Sequence, residues 1–215
     1  MAHSPVSSPA GNSPTSAPTA RYHLSELICR RTQPGADLAA IDAEIWQRFG
    51  QTRAVMFTDL AGFSRQVEEF GIIQFLQVIC ESERLFEALF SQHQGKCLKR
   101  DGDSMLVIFP DTDSMLHCAI AMGLAADAYN QNQLEENRVR LCLGLGFGPM
   151  LVIGDEDVYG AEVNAASKLG EDTAKAGEIL VTDLVAATAA PPGYRFELCA
   201  DRLFGRREVF RLVTV

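Results

Sequence analysis

The chain has no CxxC pair and no close grouping of Cys with His; its six cysteines, Cys29, Cys80, Cys97, Cys118, Cys142 and Cys199, are scattered. That spacing excludes the usual structural zinc sites and reads as reduced, mostly buried thiols of a cytosolic protein, so the expected localisation is cytoplasmic. No apolar run approaches the ~20 residues needed to cross a bilayer, so no integral membrane association is expected. Basic residues are outnumbered, 19 Lys and Arg against 28 Asp and Glu, giving a net charge of −9 and a pI near 4.9. Such a chain lacks the electrostatic footprint for gripping a nucleic acid polymer through its phosphates. A small anionic substrate stays open, provided metal ions and local Lys or Arg residues offset the repulsion at one site. The start of the chain lacks the basic and apolar stretches of a secretory signal. Residues 1–20, dominated by Ser, Pro, Ala and Gly, are expected to form a disordered tail. No internal repeat is visible.

What is present is a 215-residue chain, 47% hydrophobic, which suits one domain with a full core. Residues 37–49 place Leu38, Ile41, Ile45 and Phe49 on one helical stripe. The run Ala54–Thr58 reads as a buried strand that stops at Asp59-Leu60-Ala61-Gly62, and a long amphipathic helix is expected over 65–92. A hairpin follows, with strands over 96–100 and 104–109 and its turn at Asp101-Gly102. Residues 112–130 read as a helix capped by Asp111 or Thr112. Residues 139–145 and 150–153 read as a strand pair broken by Gly144, Gly146 and Gly148. A helix over 163–174, a strand over 179–182 and closing strands near 194–198 and 208–213 complete the reading. This mixture of hairpins and helices predicts an α+β sandwich, not a doubly wound sheet.

Three segments carry candidate chemistry. In FTDLAGFS, residues 57–64, Asp59 ends a strand beside a tight turn, where a helix N-terminus offers backbone N–H groups to phosphate. In LKRDGDSMLVIF, residues 98–109, Asp101 is explained by the Asp-Gly turn itself. Lys99 and Asp103 flank the hairpin tip and can face the sheet end that holds Asp59; converging carboxylates near N–H groups suit Mg²⁺ and phosphates. In DVYGAEVNAASKLGED, residues 157–172, Asn164 and Lys168 are four apart and expected on one helix face, with Asp157 in the loop before them. Each segment alone fits a bland alternative: a helix cap, a solvated hairpin tip, an amphipathic helix with a polar stripe.

Together, the ordered set F-x-D-L-x-G-F-S, K-x-x-G-D and D-x-x-G-x-x-V-N-x-A-S-K resembles the catalytic domain of class III adenylate and guanylate cyclases, over about residues 53–213. The resemblance implies a ferredoxin-like βαββαβ-type sandwich with a mainly antiparallel sheet, covering helices and a C-terminal strand pair. It implies two Mg²⁺ or Mn²⁺ ions per active site, held by Asp59, Asp103 and the Leu60 carbonyl, and cyclisation of a nucleoside triphosphate to a 3′,5′-cyclic nucleotide and pyrophosphate. The backbone N–H groups of Ala61, Gly62 and Phe63 would cradle phosphate. Lys99 and Asp157 match the base-reading pair, donor and acceptor for adenine, which favours ATP over GTP or a pyrimidine triphosphate. Asn164 matches the ribose-orienting residue.

Two positions depart from the family pattern. Lys168 stands where an Arg usually stabilises charge on the transferred phosphate, which keeps the charge and loses the planar fork. Cys142 stands where a phosphate-binding Arg is often found, with Arg140 two residues earlier as a substitute. Arg206 matches a basic residue that contacts the triphosphate. The resemblance further implies a homodimer whose partner completes each site. Residues 21–50 are expected to form a helical segment of regulatory or dimerising role, and residues 51–215 the catalytic domain. These departures keep open a degenerate domain that binds nucleotide or a partner without turnover.

Overall fold

The structure is a computed structural model, and it describes residues 19–188 and 190–215. Most of the expected tail lies outside the described residues; where the description begins, Thr19 already accepts from the Tyr22 N–H and caps helix α1, Ala20–Arg31. Helix α2, Leu38–Phe49, is capped by Asp37, whose carboxylate accepts from the Ala40 N–H, an acceptor meeting orphan donors of the first turn. Its stripe buries Ile41, Ile45 and Phe49 against Leu27 of α1 and Ile153, while Leu38 stays 47% exposed.

The strand after α2 is longer than its apolar run: β1 spans Gly50–Leu60. The expected long helix is two helices, α3 (Phe63–Phe70) and α4 (Ile72–Gln92), because Gly71 between them adopts φ +88°, a conformation glycine reaches without strain. The hairpin forms as read, β2 (Lys96–Asp101) and β3 (Ser104–Phe109), with Gly102 at φ +59°. Helix α5, Thr112–Asn130, takes Asp111 as its cap.

The expected strand pair is instead one continuous strand, β4, Leu141–Ile153. Its glycines do not break it; they admit a helix. A Cβ on Gly144 would lie 2.0 Å from the Ala166 carbonyl oxygen, and one on Gly146 would lie 2.6 Å from that of Glu162, so only hydrogen lets the helix backbone come this close. That helix is α6, Ala161–Ser167, which continues as a π-helical turn over Lys168–Thr173, so the single α-helix expected over 163–174 is not formed. Asp157, expected in a loop, begins the short strand β5, Asp157–Tyr159. Strand β6 (Ile179–Thr182), the short helix α7 (Asp183–Ala186) and strands β7 (Tyr194–Leu203) and β8 (Arg207–Thr214) close the chain.

The sheet runs β2-β3-β1-β4-β6-β8-β7, with β5 on β4, and all its pairings are antiparallel except β4 with β6. This is the expected α+β architecture with its closing strand pair. The two faces differ. Met56, Val107, Leu143 and Leu145 pack with Phe75, Phe86, Met115 and Met122 under α4 and α5. Each fully buried Phe or Met there contributes roughly 1.5–3 kcal/mol. Val55, Leu106 and Met150 point to the opposite face and pack with Val163 and Ala166 of α6, as strand alternation requires. Among the described residues no helix is long and apolar enough to cross a membrane. The cysteines are less buried than expected: Cys118 and Cys142 are buried, Cys97 and Cys199 intermediate, and Cys29 on α1 and Cys80 on α4 exposed.

Candidate active site

Strand alternation decides which side chains reach the site. Val55 and Phe57 face α6, so Asp59, two residues further along β1, emerges on that same face at the strand's end. Across the ladder Asp59 is level with Cys142 of β4. The hairpin tip brings Asp103 and Ser104 to the same place. A depression of ≈ 700 Å³ results, lined by Asp59, Leu60, Gly62, Phe63, Asp103 and Glu171 among others. The turn beneath it is pinned from two sides: Ala61 N–H donates to the Arg140 carbonyl at 2.8 Å, and the Phe63 ring packs edge-on against Phe75, centroids 4.8 Å apart. Such an aromatic pair adds about 0.5–1.5 kcal/mol beyond its buried area.

This depression gathers four acidic residues, Asp59, Asp103, Glu171 and Asp172, against one lining cation, Arg65. Burial, then the charge of Asp103, with Glu171 adding, pushes the Asp59 carboxyl up to about 6 against hydrogen bonds from the Leu60 N–H and the Ser104 hydroxyl. Burial also raises Asp103. Two carboxylates that repel each other in a half-buried place are stabilised by a cation.

A second cavity of ≈ 340 Å³ adjoins the first, sharing Ser104 and Glu171, and is lined by Lys99, Asp157, Tyr159 and Asn164 among others. Here the buried carboxylate, Asp157, is fully partnered. Lys99 Nζ lies 2.7 Å from Asp157 Oδ1, the Val158 N–H donates to Oδ1, and the Tyr159 hydroxyl donates to Oδ2, each at 2.8 Å. Burial would raise the Asp157 carboxyl, but its donors outweigh that and hold it below the usual carboxylate range.

A match to the adenylate and guanylate cyclase catalytic domain covers residues 47–204. The chain belongs to the class III nucleotidyl cyclases. It is 30% identical over 130 residues to a putative adenylate cyclase 3 of Rhizobium meliloti, covering 60% of this chain and 22% of that relative. The chain thus spans about a fifth of that relative's length. Its fold is similar to an adenylate/guanylate cyclase/hydrolase from Silicibacter pomeroyi, at TM-score 0.66 and 23% identity over 77% of this chain and 98% of the other. It is similar too to a dimeric guanylyl cyclase domain from Blastocladiella emersonii, at TM-score 0.63 and 16% identity over 77% of this chain and 97% of the other.

Within this cyclase domain the expected residues divide. Asp59, Leu60, Gly62, Phe63 and Asp103 share one depression, and Lys99, Asp157 and Asn164 the other. The Ala61 N–H is taken by the Arg140 carbonyl, so it does not belong to a phosphate cradle. Lys168 follows Asn164 by one helical turn, its N–H donating to the Asn164 carbonyl, where the π-helical turn begins, and its Nζ pairs with Asp172 at 2.5 Å. Cys142 is buried, its thiol pushed up to about 12 by burial and the charges of Asp59 and Glu178, and donates to the Ala174 carbonyl. The Arg140 guanidinium approaches the Gly62 turn, 3.9 Å from where a Cβ would sit, while paired with Glu135. Arg206 is exposed in the closing hairpin turn and lines neither cavity. Three residues went unread. Tyr159 shares the Asp157 face at period two. Ser104 follows Asp103 and donates to Asp59 Oδ1. Glu171 accepts from Ser167, four residues earlier. Those spacings were the available signals.

Proposed function

We propose that this cyclase domain converts ATP to 3′,5′-cyclic AMP and pyrophosphate in a two-fold homodimer. The observation that carries the choice of ATP is the Lys99–Asp157 pair in a cavity that Asn164 also lines. A lysine donor suits adenine N1 and a carboxylate acceptor suits the 6-amino group, whereas guanine presents a protonated N1 and an acceptor O6 to the same pair. Asn164 orients the ribose beside them. The Gly62 and Phe63 N–H groups, at the start of α3, are placed to donate to phosphate oxygens.

The residues fit two Mg²⁺ or Mn²⁺ ions. Asp59, the Leu60 carbonyl and Asp103 are hard oxygen donors, and burial raises both carboxyls, with the charge of Asp103 adding at Asp59, a penalty that a bound cation would relieve. Among the described residues no three His, Cys, Asp or Glu side chains converge on one point, so water and phosphate oxygens would complete each shell. When bound, the ions supply charge for the β- and γ-phosphates and acidify the ribose 3′-hydroxyl. Lys168 contributes positive charge toward the transferred phosphate once it leaves Asp172.

Dimerisation is supported by the apolar side chains exposed where α3 meets α4: Phe70, Ile72, Ile73 and Leu76 are 42–76% exposed, more than a monomer's surface ordinarily shows in so short a segment. A second reading, a site complete within one chain, is favoured by the two cavities sharing Ser104 and Glu171. Incubating the chain with each of the four nucleoside triphosphates and Mn²⁺, and identifying products by mass, tests the reaction. Cyclic AMP as the main product supports it. Cyclic GMP as the main product, or no product from any triphosphate, contradicts it.

A further inference from the structure

The carboxylate of Asp157 receives one more donor, from far outside the motif. Arg21 Nη2 on α1 donates to Asp157 Oδ2 at 3.1 Å, while its Nε donates to Glu156 Oε2, also at 3.1 Å. Arg21 stands before the residues matched to the cyclase family, which begin at 47, and 136 positions from its partner. Its placement is built: α1 is held by Leu24 and Leu27 against Ile41, Ile45 and Ile153, and ion pairs Arg30–Glu44 and Arg31–Asp42 tie it to α2.

An ionised carboxylate has about four acceptor sites, two on each oxygen. Asp157 has four donors: Lys99 and the Val158 N–H on Oδ1, the Tyr159 hydroxyl and Arg21 on Oδ2. Its side chain is 5% exposed, so water has little room to exchange with them. Lys99 differs, because an ammonium has three protons and can hold Asp157 while offering another to a base. The donor half of the pair is therefore free, and the acceptor half is full. For Asp157 to accept from an exocyclic amine, one donor has to yield. The Val158 N–H is its own neighbour in the strand, Lys99 is the other reader, and Tyr159 is anchored in β5. Arg21 is 53% exposed and keeps Glu156 as an alternative partner, so it is the donor that leaves at least cost.

We propose that Arg21 is a positioning residue of the base cavity: by filling the last acceptor site of Asp157 it restrains recognition of the adenine 6-amino group, and its displacement opens that site. The inference rests on the assignment of Lys99 and Asp157 as base readers. It makes the docking of α1 a determinant of adenine against guanine preference, since guanine O6 offers no proton to a freed Asp157 and is repelled by it.

The test is equilibrium binding of ATP and of GTP by calorimetry on the full chain, with KM and kcat measured alongside. Arg21→Ala is expected to lower the Kd and KM for ATP about fivefold, the scale of one exposed ion pair displaced, with kcat within about twofold and GTP binding unchanged or weaker. Glu156→Gln removes the alternative partner, so Arg21 should leave Asp157 less readily and ATP affinity should fall slightly. Arg21→Lys keeps the charge but cannot fork to both carboxylates, and is expected to fall between wild type and Arg21→Ala. A parallel change of ATP and GTP constants, or weaker ATP binding, in Arg21→Ala with an unaltered melting temperature overturns the inference. Binding separates this outcome from failure of the proposed reaction: selective tightening of ATP without any cyclic product upholds Arg21 and refutes turnover, whereas normal turnover with an unmoved ATP/GTP Kd ratio does the reverse.

Discussion

The two adjoining cavities differ in how their central carboxylates are partnered. Asp59 sits half-buried near Asp103 and Glu171 and is pushed up to about 6, while Asp157, more deeply enclosed, is held below the ordinary range by the donors around it. In the first, Asp59 has no cationic partner within ion-pair distance among the described residues; in the second, Asp157 is satisfied by donors of its own chain. The contrast separates a surface shaped for cations from one shaped for directional hydrogen bonds, where the protein fills its own recognition groups until a ligand replaces them.

The largest effect should come from the unsatisfied half. Asp59→Ala or Asp103→Ala each removes a proposed metal ligand, and the cost of several kcal/mol at the transition state corresponds to roughly a thousandfold or greater loss of kcat. Circular dichroism should show the fold retained. Near wild-type cyclic nucleotide production by either variant would show that this half is not a metal site.

The satisfied half should respond in preference rather than in rate. Lys99→Glu combined with Asp157→Ser removes the adenine donor and acceptor together, so kcat/KM for ATP should fall at least tenfold more than that for GTP, on the scale of a mispaired polar contact. An unchanged ATP/GTP ratio would remove these residues from base recognition.

Both halves depend on α6 lying close on β4, and that closeness is testable without nucleotide. Gly144→Ala places a methyl 2.0 Å from the Ala166 carbonyl oxygen, so overpacking of about 3 kcal/mol should lower the melting temperature by roughly 6–12 °C. A shift under about 2 °C would mean that α6 lifts freely.

The smallest effect reads the charge imbalance directly. An acid whose folded value is raised, here from 3.8 to about 6, opposes folding above that value, and the opposition fades as the pH falls toward 4. Asp59→Asn should therefore stabilise the metal-free protein at pH 8, by about 1 kcal/mol after allowance for screening at a half-buried group, or ~2–4 °C. At pH 4 the gain should vanish. Added Mn²⁺ should raise the melting temperature of wild type more than that of the variant.

What could be read in the chain was local. The Asp101-Gly102 turn, the Asp111 cap and the apolar stripe of α2 each follow from a few neighbouring residues, and the order of three short motifs carried the family. Other features were ambiguous for physical reasons. Gly144 and Gly146 look alike whether glycine ends a strand or admits a helix, and only the backbone of α6 decides. Gly71 interrupts an apolar pattern that Ile72, Ile73 and Phe75 resume at once, so periodicity gave no break. Lys168 follows Asn164 by one helical turn as its spacing implies, yet its pairing with Asp172 belongs to the π-helical segment that the spacing does not announce. Arg21 could not be found at all, since nothing local links α1 to a carboxylate 136 residues away.

The central claim is that the cation-seeking half of one chain works with the base-reading half of its partner. Mixing an Asp59→Ala chain with an Asn164→Ala chain tests it most directly. Each should be nearly inactive alone. In an equal, freely exchanging mixture half the dimers carry one intact site, so activity should recover to about a quarter of wild type. No recovery, with subunit exchange shown independently by fluorescence transfer, would contradict the account and place each active site within a single chain.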